Sequence, residues 1–347
     1  MKPTSHAARF AVAVAALSLV GVASAGAPDR LDRFRALAAT QLAAGALGDD
    51  SAETYREVYA LLDDEIVESL ASGGVFASLG FLQDRLDTFG EVWGATVVRL
   101  VRVGDVLVGA FQLAGTPVGN SVRVYGRLDG EAALLVTFTR AGRPSVLALR
   151  QGGAKAARFL MTWEGPPTGR GTRPLRMELA HPQGDGVRVT WSTAQLFPDG
   201  LLARGWSVRG SEIRVRYEVQ YPGWTPGCDG QTEQEDVYRV GSGGASVTRV
   251  ARRLINPWHR EFRGAVARLF DAVAAGNGNA LAGLVPDAAM RRLLPPSLAP
   301  EPACDARETI GPERVSVAAR DAERPWQLTF QRGPAGWRLV SAMPVLQ

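Results

Sequence analysis

Apolar residues recur every three to four positions from Leu31 to Trp93 and every second position beyond it, and this change of period separates a helical start from a sheet. Leu31, Phe34, Ala38 and Leu42 share one face of a first helix that ends around Gly45 to Gly48. Tyr55, Val58, Leu62, Ile66 and Leu70 stripe a second helix, which Gly73-Gly74 stops. Phe76, Leu79, Leu82, Leu86, Phe89 and Trp93 stripe a third. Each stripe is narrow, so each helix is expected to bury one face against another layer.

That layer is predicted to be an antiparallel meander. Val97 to Val103, Val106 to Leu113, Ser121 to Leu128 and Glu131 to Thr139 are short β-branched or aromatic runs separated by turn residues. Asp129-Gly130 is the clearest hairpin signal, because both positions tolerate positive φ. Further on, Val187, Val189 and Trp191 alternate with Arg188, Thr190 and Ser192, and Ile213, Val215, Tyr217 and Val219 alternate with Arg214, Arg216 and Glu218. Such strands have one wet face. Segments 165–173 and 222–231, rich in Gly and Pro, read as loops. No α/β alternation appears, so a parallel sheet is not expected.

Helical punctuation returns at Asn256-Pro257, an N-cap residue followed by Pro at the first helical position. Phe262, Val266, Leu269, Phe270 and Val273 carry the buried face to a stop at Gly276. Short helical pieces follow over 281–294, a proline-rich turn over 295–302, and strands over 314–320, 326–330 and 337–341. The fold class expected is α+β: N-terminal helices on an antiparallel sheet, a β-rich middle, and a C-terminal helix with its own antiparallel sheet. The expected boundaries are 26–254 and 255–347, after a leader over 1–25.

The order of a long helix, short helices and then strands ending in Trp326-Gln327-Leu328-Thr329-Phe330 and Trp337-Arg338-Leu339-Val340-Ser341 resembles the cone-shaped α+β fold of the nuclear-transport-factor-2-like superfamily. The resemblance covers about 256–347. It implies a cone-like domain with room for a pocket, and no particular activity, since members range from isomerases and dehydratases to binding modules.

The leader changes the reading of everything after it. Lys2, His6 and Arg9 precede an apolar run from Phe10 to Val22 and a small-residue cleavage site, Ala23-Ser24-Ala25, which predicts export to the periplasm or beyond with a cut between Ala25 and Gly26. The run is too short to span a bilayer, and Gly26 occupies the place of a lipid-bearing cysteine, so neither a transmembrane nor a lipid anchor is expected. Removing Lys2 and Arg9 lowers the formal charge from +4, and Lys155 is then the only lysine. Apart from the doublets Arg252-Arg253 and Arg291-Arg292, which read as solvated faces, the arginines are scattered singly and form no basic stripe, so nucleic acid is not an expected partner. In an oxidising compartment the only two cysteines, Cys228 and Cys304, are natural bridge partners.

Candidate chemistry is sparse. Beyond the leader the histidines are His181 and His259, with no H-E-x-x-H, C-x-x-C or G-x-S-x-G motif, and Gly276-Asn277-Gly278 lacks the residues of a phosphate loop. No metal or cofactor is called for. His181 reads as a loop residue. His259 follows Trp258 in the first turn of the C-terminal helix and could face a cone-fold cavity as a general acid or base. The least generic stretch is 221–238, where Tyr221, Trp224 and Tyr238 offer ring surfaces and Glu233, Glu235 and Asp236, with Asp229, offer oxygens at a spacing unlike an EF-hand. Tyr221, Trp224, Tyr238, Trp258 and His259 are therefore the candidate ligand- or partner-binding residues. The leading expectation is an exported non-enzymatic binding protein, carrying a small apolar ligand or meeting an envelope protein. Its rivals are a cone-fold enzyme using an Asp/His pair and a structural envelope component.

Overall fold

The computed structural model describes residues 29–45, 52–94, 97–149, 158–169, 171–225, 228, 230–241, 246–302, 304, 311–322 and 324–345; the segment 1–25 expected to be a leader, the expected cut after Ala25, Lys155 and Asp229 lie outside them. Three helices open the fold: α1 (Arg30–Gly45), α2 (Ala52–Ser72) and α3 (Leu79–Trp93). The α3 stripe starts later than its sequence periodicity predicts. The Ser78 hydroxyl accepts the Phe81 N–H at 3.3 Å and sets the N-terminus there, so Phe76 falls in the preceding turn and is exposed.

The meander is β1 (Val97–Val103), β2 (Val106–Gln112), β3 (Asn120–Leu128) and β4 (Glu131–Thr139), paired in that order. Leu128 faces Glu131 across a turn in which Asp129 and Gly130 both take positive φ, as the dipeptide predicts. Phe34, Leu62, Ile66, Leu82, Leu86 and Phe89 of the helices pack against Leu100, Leu107, Phe111 and Tyr125. Most of these side chains are fully buried, each contributing about 1.5–3 kcal/mol. A salt bridge ties the layers together: Arg123 of β3 donates through Nε to Asp63 Oδ1 of α2 at 2.7 Å and through its terminal nitrogen to Oδ2, and the Tyr125 hydroxyl donates to Oδ1 at 2.8 Å.

The opposite face of this meander, with Val108, Val122 and Val124, rests on a second sheet through Phe159, Met161 and Trp163. That sheet contains β5 (Arg143–Leu149), β6 (Arg158–Glu164), β7 (Arg173–Gln183), β8 (Gly186–Ser192), β9 (Leu202–Arg209), β10 (Glu212–Glu218), β11 (Glu233–Val240) and β12 (Val247–Ile255), with a one-turn α4 (Thr193–Leu196) between β8 and β9. Its order is β12-β11-β10-β9-β7-β6-β5, with β8 on the second edge of β7, and every pair is antiparallel. The sheet curls: Arg158 of β6 donates to Gly241 O beyond β11 at 3.1 Å, and Trp206 of β9 donates to Glu164 of β6 at 2.9 Å. Leu160, Met177, Leu179, Ile213, Val215 and Tyr238 fill its inner face.

The C-terminal part comprises α5 (Pro257–Ala274), α6 (Gly278–Leu284), α7 (Ala288–Leu293) and a four-stranded antiparallel sheet, β13 (Ala299–Pro300), β14 (Arg314–Asp321), β15 (Arg324–Gly333) and β16 (Gly336–Pro344). Phe262, Leu269, Leu328, Phe330 and Trp337 fill the space between α5 and the sheet. The α5 start falls where Asn256-Pro257 predicts, but by another device. Asn256 adopts φ 52°, and its side chain gives no capping bond; Nδ2 instead donates to Gly230 O at 3.2 Å. No helix among the described residues is long and apolar enough to cross a membrane.

Candidate functional site

The stretch after β10 folds back on a turn written in its sequence. Pro222 and Gly223 occupy the two central positions between Tyr221 and Trp224, Gly223 takes φ +81°, and the Trp224 N–H donates to Tyr221 O at 2.9 Å. A side chain at Gly223 would also crowd Arg263 of α5 at 3.1 Å. The turn sends Tyr221 toward the C-terminal part and Trp224 toward the mouth of the curled sheet, and the candidate residues divide accordingly.

One group is a clasp. Tyr221 Oη shares a 2.6 Å hydrogen bond with His259 Nδ1, both buried, and accepts the Thr232 N–H at 3.2 Å. The Thr232 hydroxyl donates to Asn256 O at 2.6 Å and accepts the Arg260 N–H at 3.0 Å. Cys228 and Cys304 are bridged, with Cα atoms 5.1 Å apart, as their count predicts. Gln231 holds the loop from inside, donating to Thr225 O and Cys228 O. Trp258 lies in the C-terminal core, its ring 6.5 Å from that of Trp337. The hydrogen bonds bind a loop of the curled sheet to α5, and the disulfide binds it to Cys304 between β13 and β14.

Of the remaining two, Tyr238 is a buried core residue, and Trp224 borders a cleft of about 410 Å³ at the mouth of the curled sheet, where Phe197, Leu202 and Val219 meet Gln234 and Arg252. Its floor is organised by a carboxylate that sequence reasoning set aside. Asp236 is completely buried; it accepts from Gln234 Nε2 at 2.9 Å, the Tyr217 hydroxyl at 3.0 Å, the Tyr238 hydroxyl at 3.1 Å, Arg252 Nε at 3.2 Å and an Arg249 terminal nitrogen at 3.4 Å. Tyr238 also rests on Trp191, with ring centroids 5.4 Å apart. Burial, reinforced by the Asp236 charge, pushes the Tyr217 and Tyr238 hydroxyls far above the usual tyrosine range, so they stay protonated donors.

Glu233 and Asp236 do not converge. Successive strand residues point to opposite faces, so Glu233, held by Arg204 at 2.9 Å and by Arg216, lies across the sheet from Asp236. Among the described residues no group of His, Cys, Asp or Glu is arranged to hold a metal ion. Sequence reasoning misses Gln234, Arg249 and Arg252 and reads Asp236 only as one oxygen donor of an acidic run. Asp236 stands between Gln234 and Tyr238 in the inward register of β11, where an acid must find partners.

No known protein family and no curated protein matches the chain. Four solved chains match. One is the crystal structure of a protein from Lactobacillus plantarum, 12% identical, aligned over 72% of this chain and 70% of that one with a TM-score of 0.19. An overlay of that quality does not define a fold.

Proposed function

We propose that the protein is an exported binding protein whose ligand site is the cleft at the mouth of the curled sheet. The observation that carries this reading is the cleft itself: about 410 Å³, walled by Phe197, Leu202, Val219 and Trp224 together with the polar groups of Glu218, Gln234 and Arg252. A concave surface that mixes apolar side chains with charged and amide groups suits a small amphipathic molecule. The leader and the Cys228–Cys304 bridge support an oxidising compartment outside the cytoplasm.

The C-terminal part serves in this reading as a cone-like module that is docked through the clasp. Its interior is filled by Phe262, Leu269, Phe330 and Trp337, which favours a supporting or partner-facing role, and a surface cleft of about 580 Å³ runs outside it between Tyr221, α5 and Trp337. His259 bonds to Tyr221 at the joint between the parts, and that placement gives the Asp/His proton-transfer alternative no support.

Calorimetric titration of the purified protein with decanol tests the cleft. Saturable binding is expected, and Leu196→Asp, which alters an exposed rim position, is expected to abolish it without changing the melting temperature. An unaltered affinity in that variant would place the ligand elsewhere.

A further inference from the structure

The two arginines beside Asp236 share a face only because of a bulge. In the β11–β12 pairing Asp236 faces Arg252 and Val237 faces Ala251, but Tyr238 faces Arg249, so Val250 is the extra residue. Positions three apart in a regular strand point to opposite faces; the added residue turns Arg249 onto the Arg252 side. Both guanidinium groups then meet one carboxylate, Arg252 at 3.2 Å through Nε and Arg249 at 3.4 Å through a terminal nitrogen.

Charge and exposure give this cluster a direction. Two cations meet one anion, so among the described groups of the cluster one positive charge is left over. Asp236 is fully buried, whereas the Arg249 and Arg252 side chains are 43% and 49% exposed. Asp236 thus fixes one edge of the Arg252 guanidinium and leaves the group at the border of the cleft. Two other carboxylates border the cleft. Glu218 lies 3.7 Å from Arg204, and Asp199 stands on the exposed rim. A guanidinium held by its Nε edge is pre-organised to accept an oxyanion on the remaining one.

We propose that Arg252, oriented by Asp236 and seconded by Arg249, recognises an anionic headgroup, so that the ligand of this cleft is a single-chain amphiphile ending in a carboxylate or phosphate. This rests on the cleft being the ligand site and adds the polarity and orientation of the ligand: tail along Phe197, Leu202 and Trp224, headgroup at β12. Arg252 is a binding residue here and Asp236 a positioning residue.

Decanoate, decyl phosphate and decanol, matched in chain length, separate the two levels when titrated calorimetrically into the full chain. The wild type is expected to prefer at least one anion over decanol by about tenfold, the worth of one charge-assisted contact. Which anion wins identifies the headgroup. Arg252→Gln is expected to erase the preference while leaving decanol affinity unchanged and lowering the melting temperature only slightly, and Arg252→Lys to restore part of the preference. Equal wild-type affinity for all three ligands, or a preference that survives Arg252→Gln, overturns the headgroup assignment and leaves the apolar cleft standing. Failure of all three to bind overturns both.

Discussion

Two carboxylates in this molecule are each met by arginine and tyrosine, and they are used differently. Asp63 joins helix α2 to strand β3; its partner Arg123 is 11% exposed and lies over the Tyr59 ring at 4.8 Å. One cation answers one anion, and the pair is sealed between layers. Asp236 sits under the outer strand β12, and its two arginines are 43% and 49% exposed at the edge of a cleft. The same donors and acceptors therefore make a joint in one place and a presented charge in the other. The difference lies in strand position and in one bulged residue, Val250, which doubles the cations on one face.

The largest expected effect comes from breaking the sealed pair. Asp63→Ala strands a buried guanidinium and is expected to cost about 3 kcal/mol in urea unfolding. Asp236→Asn is expected to cost less, about 1 kcal/mol, because its half-exposed arginines regain water and the amide keeps part of the hydrogen bonding. The same variant should lose the preference for an anionic ligand. If Asp236→Asn proves as damaging as Asp63→Ala, the two clusters do the same work and the contrast collapses.

Alkaline pH probes both clusters at once. Burial raises the folded-state pKa of Tyr59 and Tyr125 beside Asp63, and of Tyr217 and Tyr238 beside Asp236. For an acid whose charged form is disfavoured in the fold, the stabilising contribution is complete below the unfolded pKa, about 10, and is lost as pH rises beyond it. Urea midpoints should therefore hold up to about pH 10 and then fall. A midpoint that stays flat into stronger alkali would contradict the buried, protonated state of these hydroxyls. Arg252→Gln takes one of the two cations from the fully buried Asp236 and is expected to cost about 1 kcal/mol, no more than Asp236→Asn, with its larger consequence in ligand choice.

Local signals in the chain were legible where one rule governs a segment. Asp129-Gly130 specifies its hairpin, Asn256-Pro257 the start of α5, and the only two cysteines pair. Strand β6, Arg158–Glu164, was illegible because Phe159, Met161 and Trp163 face one sheet while Leu160 faces the inner core, leaving no alternation to read. The site was legible by halves. The run 221–238 stood out for its rings, turns and acids, but no local rule shows that Tyr221 and His259 belong to a clasp, that Trp258 and Tyr238 are core residues, or that Arg249 and Arg252 share a face. That last fact depends on a bulge set by pairing between β11 and β12, and register is a tertiary property.

A crystal structure of the protein grown with decanoate tests the central claim most directly. The expected density places the carboxylate within about 3 Å of the Arg252 guanidinium, with the chain along Phe197, Leu202 and Trp224 and with Asp236 still holding Arg252 Nε. Decanoate bound elsewhere, or seated in the cleft with its carboxylate turned to solvent away from Arg252, would contradict it.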